Sequence, residues 1–194
     1  ISTHWNGTYC YNTGNDELRR LESADGLLEK LAINSLDAKN DTTFIAATPH
    51  SILHIAFSGT DYIQSDVNVK EMSFDNSLFN SFIKNRITKL YVDKENSVIW
   101  LGTFGKGLVK SNMQDKDIHH IFLREEIKDI NALAQDAQGY IWLTTNRNGI
   151  WKSTTNHISP KLTFDKWESS KDNQYYCMHK DSNGCLWIGD ESGI

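Results

Sequence analysis

Carboxylates that recur ahead of a glycine and a tryptophan are the side chains whose chemistry repeats in this chain. Asp93 opens DKENSVIWLGTFGKGLVK over 93–110, Asp136 opens DAQGYIWLTTNRNGIWK over 136–152, and Asp181 opens DSNGCLWIGDESGI over 181–194. Aspartates in such a series suggest calcium ligation or the Asp-box turn. An Asp-box runs Asp-x-Gly, whereas two of these stretches run Asp-x-x-Gly, so a carboxylate capping its own turn accounts for each one. The repeated tryptophans, Trp100, Trp142 and Trp187, offer flat rings on which a sugar could stack. Their place inside continuous apolar runs makes them packing residues instead. Trp5, Trp151 and Trp167 lie off the motif and keep the stacking reading open.

The other reactive residue types form no constellation. His119 and His120 are sequence neighbours, so on a strand they face opposite sides and do not share a metal. Cys10, Cys177 and Cys185 are too scattered for a zinc site and read as small buried hydrophobes. There is no GxSxG, no P-loop and no glycine-rich dinucleotide fingerprint. Glu125-Glu126 reads as a wet surface pair rather than a glycosidase pair. No catalytic residue, metal site or cofactor is expected.

The elements that carry the motif follow from its pattern. Val98-Ile99-Trp100-Leu101, Tyr140-Ile141-Trp142-Leu143 and Cys185-Leu186-Trp187-Ile188 are apolar at consecutive positions, which means strands buried on both faces. Ile87/Leu90, Ile130/Leu133 and Tyr175/Met178 share one spacing and mark a preceding strand. Gly107, Gly149 and Gly193 close the next turn, where positive φ is expected. Each unit is thus an antiparallel meander, repeating 42 and 45 residues apart at its tryptophans. A small sheet buried on both faces needs a neighbour on each side, and radial stacking of such sheets is the β-propeller. The predicted fold is therefore all-β, with about four blades of four-stranded meanders forming part of a larger ring.

The expected repeats run over residues 1–32 (the second half of a motif), 33–86, 87–129, 130–173 and 174–194 (incomplete). In the second, Phe44 is assigned the tryptophan place and Ser51 the glycine place. Residues 12–31 read as an outer strand, with a short helix from Leu27 as the alternative. A net charge of −5 and 23% charged residues indicate neither disorder nor a basic nucleic-acid surface. No apolar run approaches the ~20 residues that span a bilayer. With no initiator Met and an opening inside a motif, the sequence is expected to be a piece of a longer polypeptide.

This topology also says where a ligand would bind. The turn between the tryptophan strand and the glycine strand opens on the same face as the loop joining one blade to the next. The residues placed there are His4, Trp5, Lys106, Arg147, Asp190 and Glu191. Lys106, Arg147 and His4 suit charge-assisted bonds to a sugar, and Trp5 suits stacking.

The pattern Asp-x-x-Gly-x-(Ile/Leu)-Trp-(Leu/Ile)-(Gly/Thr) followed by Gly-(Leu/Ile) resembles the two-component regulator propeller repeat. The resemblance covers most of the chain. It departs at Asp190, where the family has Thr, and at Lys94-Glu95-Asn96, a turn without Gly. It implies the periplasmic sensor region of a hybrid two-component regulator of the kind found in Bacteroidetes. It further implies an oligosaccharide ligand, a homodimeric parent protein, and a membrane helix and histidine kinase outside this chain. A protein-interaction propeller and a propeller lyase or sialidase are the alternatives. The first lacks the WD and kelch signatures. The second lacks converging acids or an arginine cluster.

Overall fold

The computed structural model describes residues 2–3, 7–74, 86–113, 118–121, 123–159, 162–167 and 173–193. Their strands form five antiparallel sheets in chain order. The first sheet joins β1 (Ser2–Thr3), β2 (Gly7–Asn12) and β3 (Glu17–Arg20), and is followed by the one-turn helix α1 (Leu27–Lys30). The second holds β4 (Ser35–Ala38), β5 (Thr43–Ala47), β6 (Ile52–Phe57) and β7 (Val67–Glu71). The third holds β8 (Ile87–Asp93), β9 (Val98–Thr103), β10 (Leu108–Asn112) and β11 (Ile118–Ile121). The fourth holds β12 (Ile130–Gln135), β13 (Tyr140–Thr145), β14 (Ile150–Asn156) and β15 (Phe164–Lys166). The fifth pairs β16 (Tyr175–Lys180) with β17 (Leu186–Asp190). The four-stranded sheets are meanders with strands in sequence order, and the whole is an arc of a β-propeller.

The apolar runs explain the stacking. All six residues of β9 are buried. Ile99 and Leu101 pack toward the second sheet with Ile45 and Ala47, while Val98 and Trp100 pack toward the fourth with Leu133 and Leu143. Alternation on the strand thus feeds two interfaces at once. Burying a side chain of this kind is worth about 1.5–3 kcal/mol, so neither face is stable bare. Gly102 lets the sheets approach closely, since a Cβ there would lie 2.6 Å from Cγ2 of buried Ile130.

A polar ladder joins the first strands of successive sheets. Asn34 Nδ2 donates to the Ile87 carbonyl at 2.7 Å, Thr88 Oγ1 to the Ile130 carbonyl, and Asn131 Nδ2 to the Tyr175 carbonyl at 3.0 Å. Each donor follows the Ile of the Ile-x-x-Leu spacing, a recurrence that the sequence displays and that apolar patterning alone does not pick out.

The register corrects one assignment. Phe44 was assigned the tryptophan place, but Ile45 occupies it. Ile45 pairs with Asp37 as Trp100 pairs with Tyr91, and it faces the third sheet. The cause is turn length: the Thr48 amide bonds to the Ser51 carbonyl, whereas Thr103 bonds to Gly107, one residue further on. Counting back from Ser51 therefore lands one residue early, and a one-residue slip exchanges the faces of a strand. Phe44 instead faces the first sheet, in edge contact with Phe57 and Tyr62 at ring distances of 5.7 and 5.6 Å.

Two further expectations meet a different outcome. Trp100 is fully buried and Trp142 is 8% exposed, but Trp187 is 54% exposed, because β17 has no third strand or following sheet among the described residues. Cys177 and Cys185 lie on that same fifth hairpin and are exposed rather than buried. The stretch before Leu31 supplies both of its readings in turn, strand β3 and then helix α1.

Candidate functional site

The recurring aspartates do more than cap. Asp136 Oδ1 accepts the amides of Gln138 and Tyr140 at 3.0 and 2.9 Å, and Oδ2 accepts the Trp142 indole N–H at 2.8 Å. Asp181 repeats this with Asn183, Cys185 and the Trp187 indole, each at 2.9 Å. Each carboxylate therefore ties its turn to the ring two positions along the next strand. Burial raises the Asp136 carboxyl, but the indole and amide bonds, with Lys152 3.4 Å away, outweigh it and hold the group below the usual carboxylate range. The bond from the Trp187 indole does the same for Asp181.

Asp93 occupies the equivalent register position, opposite Val98 and two residues from Trp100, yet behaves differently. Its turn has one residue more, with Ser97 at φ 54. Its carboxylate faces the fourth sheet, where Oδ2 lies 3.3 Å from His157 Nε2. Asn96 Nδ2 donates to both Asp93 oxygens and lies 2.8 Å from the same ring nitrogen. On the other side, His157 Nδ1 meets Gln135 Nε2 at 2.6 Å and the Gly139 carbonyl at 3.1 Å. Tyr91 closes the chain by donating to Gln135 Oε1 at 3.0 Å. Burial, with Asp93 and Asp37 nearby, pushes the Tyr91 hydroxyl up to about 12.

This network forms part of the wall of a cavity of about 680 Å³, lined by Asp37, Tyr91, Lys94, Gln135, His157 and Lys180 among others. The cavity lies at the ends of β8 and β12 where the first hairpin of each sheet turns. Burial pushes the Asp37 carboxyl up, although it accepts amide bonds from Val92 and Ala38. A second cavity, of about 300 Å³ and mostly apolar, lies between the first two sheets beside Phe44, Phe57 and Tyr62.

Four of the residues chosen from the sequence as ligand candidates sit at the opposite end of the sheets. Lys106 and Arg147 are exposed in the β9–β10 and β13–β14 turns, Arg147 with φ 79, while Asp190 ends β17 and Glu191 lies in the turn after it. These turns and the inter-sheet connections share one end of the arc. The Gly105 amide bonds to the Lys128 carbonyl, that of Asn146 to Asp129, and that of Glu191 to Gln174. Lys106, Arg147, Asp190 and Glu191 line neither cavity. His4 and Trp5 lie outside the described residues. Trp151 is 6% exposed, with its indole donating to the Asn148 carbonyl, and so offers no open platform. Among the described residues, no group of three or more His, Cys, Asp or Glu is placed to hold a metal ion. The sequence reading missed Gln135 and His157. The signal it had was the glycine-free turn after Asp93.

Comparison with known proteins bears on the meaning of these repeats. A family profile described as two component regulator propeller matches residues 127–147 and 169–192, which hold the Asp136 clasp and the Asp181 clasp. Those two stretches match the two-component regulator propeller repeat. Histidine kinase P4 of Formosa agariphila is 25% identical over 134 residues, which is 69% of this chain and 7% of that protein. Two solved extracellular domains of putative hybrid two-component systems from B. thetaiotaomicron share the fold. One has a TM-score of 0.67 at 20% identity over 98% of this chain, the other 0.65 at 17% over 97%. This chain spans 24% of each. Virginiamycin B lyase from Staphylococcus aureus also shares it, with a TM-score of 0.58 at 14% identity, covering 84% of this chain and 53% of that one. The two B. thetaiotaomicron neighbours are extracellular domains. Among the described residues no helix is long and apolar enough to cross a membrane.

Proposed function

We propose that this chain is part of the extracytoplasmic, periplasmic sensor region of a hybrid two-component regulator, and that it senses a glycan-derived ligand. The observation that carries the reading is the coincidence of the regulator-propeller match with the two Asp-to-indole clasps at Asp136 and Asp181. Those clasps fix the first hairpins of the fourth and fifth sheets. In this reading the chain is not itself an enzyme, and it signals to a histidine kinase carried elsewhere in a homodimeric parent protein. Ligand binding alters signalling only if two arrangements of that dimer bind the ligand with different affinity.

The loop residues Lys106, Arg147, Asp190 and Glu191, with His4 and Trp5, are the proposed contacts to the oligosaccharide. The test is calorimetric titration of a panel of oligosaccharides into the chain and into a Lys106→Ala/Arg147→Ala variant. At least one oligosaccharide is expected to bind, at least tenfold more weakly to the variant. Equal affinity moves the ligand to the 680 Å³ cavity at the other end. No binding across the panel overturns the glycan reading. The likeness to a propeller lyase favours a second reading, an eliminating enzyme. Incubation with the same panel is expected to yield no unsaturated product, and its appearance would favour the lyase.

A further inference from the structure

Three copies of one hairpin in a single chain provide an internal control. In the fourth and fifth sheets the aspartate holds the indole N–H of its own sheet. In the third sheet the aspartate at the same register position has turned to His157, and Trp100 Nε1, completely buried, has no hydrogen-bond partner among the described residues. A buried donor left unsatisfied is costly, so this arrangement persists only while His157 and Asn96, whose amide and Nδ2 both donate to Asp93, outcompete the indole. The carboxylate thus has two competing seats, one within its sheet and one across to the next.

We propose that Asp93 is a two-position switch between Trp100 and His157, thrown by the proton on His157, at the rim of the 680 Å³ cavity. Neutral His157 with its hydrogen on Nε2 donates to Asp93, while Nδ1 accepts from Gln135. An added proton on Nδ1 excludes the Gln135 Nε2 donor 2.6 Å away, so the Gln135 amide turns its oxygen to the ring, with the Gly139 carbonyl at 3.1 Å as a second acceptor, and the resulting imidazolium grips the Asp93 carboxylate as an ion pair. Histidine is the side chain whose charge changes between about pH 5 and 8. Acid therefore closes the clasp between the third and fourth sheets. Loss of the proton reduces that grip to a neutral hydrogen bond beside those of Asn96, and shifts Asp93 toward the indole seat that its sister residues occupy. The other charged groups around His157 are few. Lys110 on β10 donates to the His157 carbonyl at 3.0 Å and lies 5.4 Å from the Trp100 ring centre. Asp136 on the β12–β13 turn is committed to Trp142 and Lys152. Lys94 and Glu95 beside Asp93, and His179 and Lys180 on β16, line the cavity. The phenol of Tyr91 on β8 reaches His157 through Gln135.

The switch is read from the indole N–H resonances of the whole chain by nitrogen–proton NMR between pH 5 and pH 8. The Trp100 signal is identified by its loss in Trp100→Phe. Should that variant not fold, Lys110→Met identifies the same signal by displacing it. The Trp100 resonance is expected to move downfield as pH rises and the indole gains the carboxylate, and to be independent of pH in His157→Gln. A Trp100 resonance that stays fixed across the range in the unaltered chain, or a pH-dependent shift that persists in His157→Gln, overturns the proposal.

Discussion

At the scale of single residues, one aspartate position does three jobs: it caps a turn, seats an indole and, in the third sheet, reaches the neighbouring sheet. Asp136→Ala removes an acceptor of two amides and a buried indole N–H. Charge-assisted bonds of this kind place its cost at about 2–3 kcal/mol, to be measured by urea unfolding. Asp181→Ala removes the same bonds around a half-exposed Trp187 and is expected to cost clearly less in the same assay. The sign of the acid response follows from the lowered Asp136 carboxyl. A carboxyl held low when folded contributes stability above its unfolded value of about 3.9, and that contribution fades as pH falls further. The thermal midpoint is expected to drop as pH is lowered below about 4, and Asp136→Asn is expected to flatten that part of the curve. A variant that follows the unaltered chain through the acid range would remove Asp136 from the account.

At the scale of elements, the strands were legible because consecutive apolar residues flanked by turn chemistry leave a short doubly buried strand as the reading. Gly107 and Gly149 sit at φ 74 and 84, the positive φ that their place in the turn implied. The register of the second sheet was not legible. Its second turn is one residue shorter, and neither Phe44 nor Ile45 carries an indole to mark the place. The two are separable by experiment. Ile45→Ala opens a hole in the packed face between the second and third sheets and is expected to cost about 2–5 kcal/mol. Gly102→Ala tests the closeness of the next interface. Its methyl would meet Ile130 at 2.6 Å, and the expected loss is about 1–3 kcal/mol, with the far-UV spectrum retained. Stability unchanged within error in Gly102→Ala would mean that the third and fourth sheets do not pack as closely as described.

At the scale of the whole molecule, each sheet leans on its sequence neighbours, so stability is expected to be graded along the arc. Hydrogen exchange is expected to be slowest in β8–β10 and β12–β13, which have packed sheets on both sides, and fastest in β16 and β17. Uniform protection would show that the arc opens as one body. The propeller architecture could be read from the sequence because forty-odd-residue repetition of a doubly buried hairpin has few other solutions. The cavity wall could not, because it is assembled from Asp37, Tyr91, Gln135 and His157, four residues from different strands and turns that no motif links. The polar ladder along the first strands has one more implication. The third and fourth sheets each give a side-chain donor forward and offer a carbonyl backward, so a duplicated copy of such a sheet brings both halves of the bond with it. Gene duplication can therefore lengthen or shorten such an arc without stranding a polar group at the seam, and the number of copies is free to drift while the joint between them stays the same.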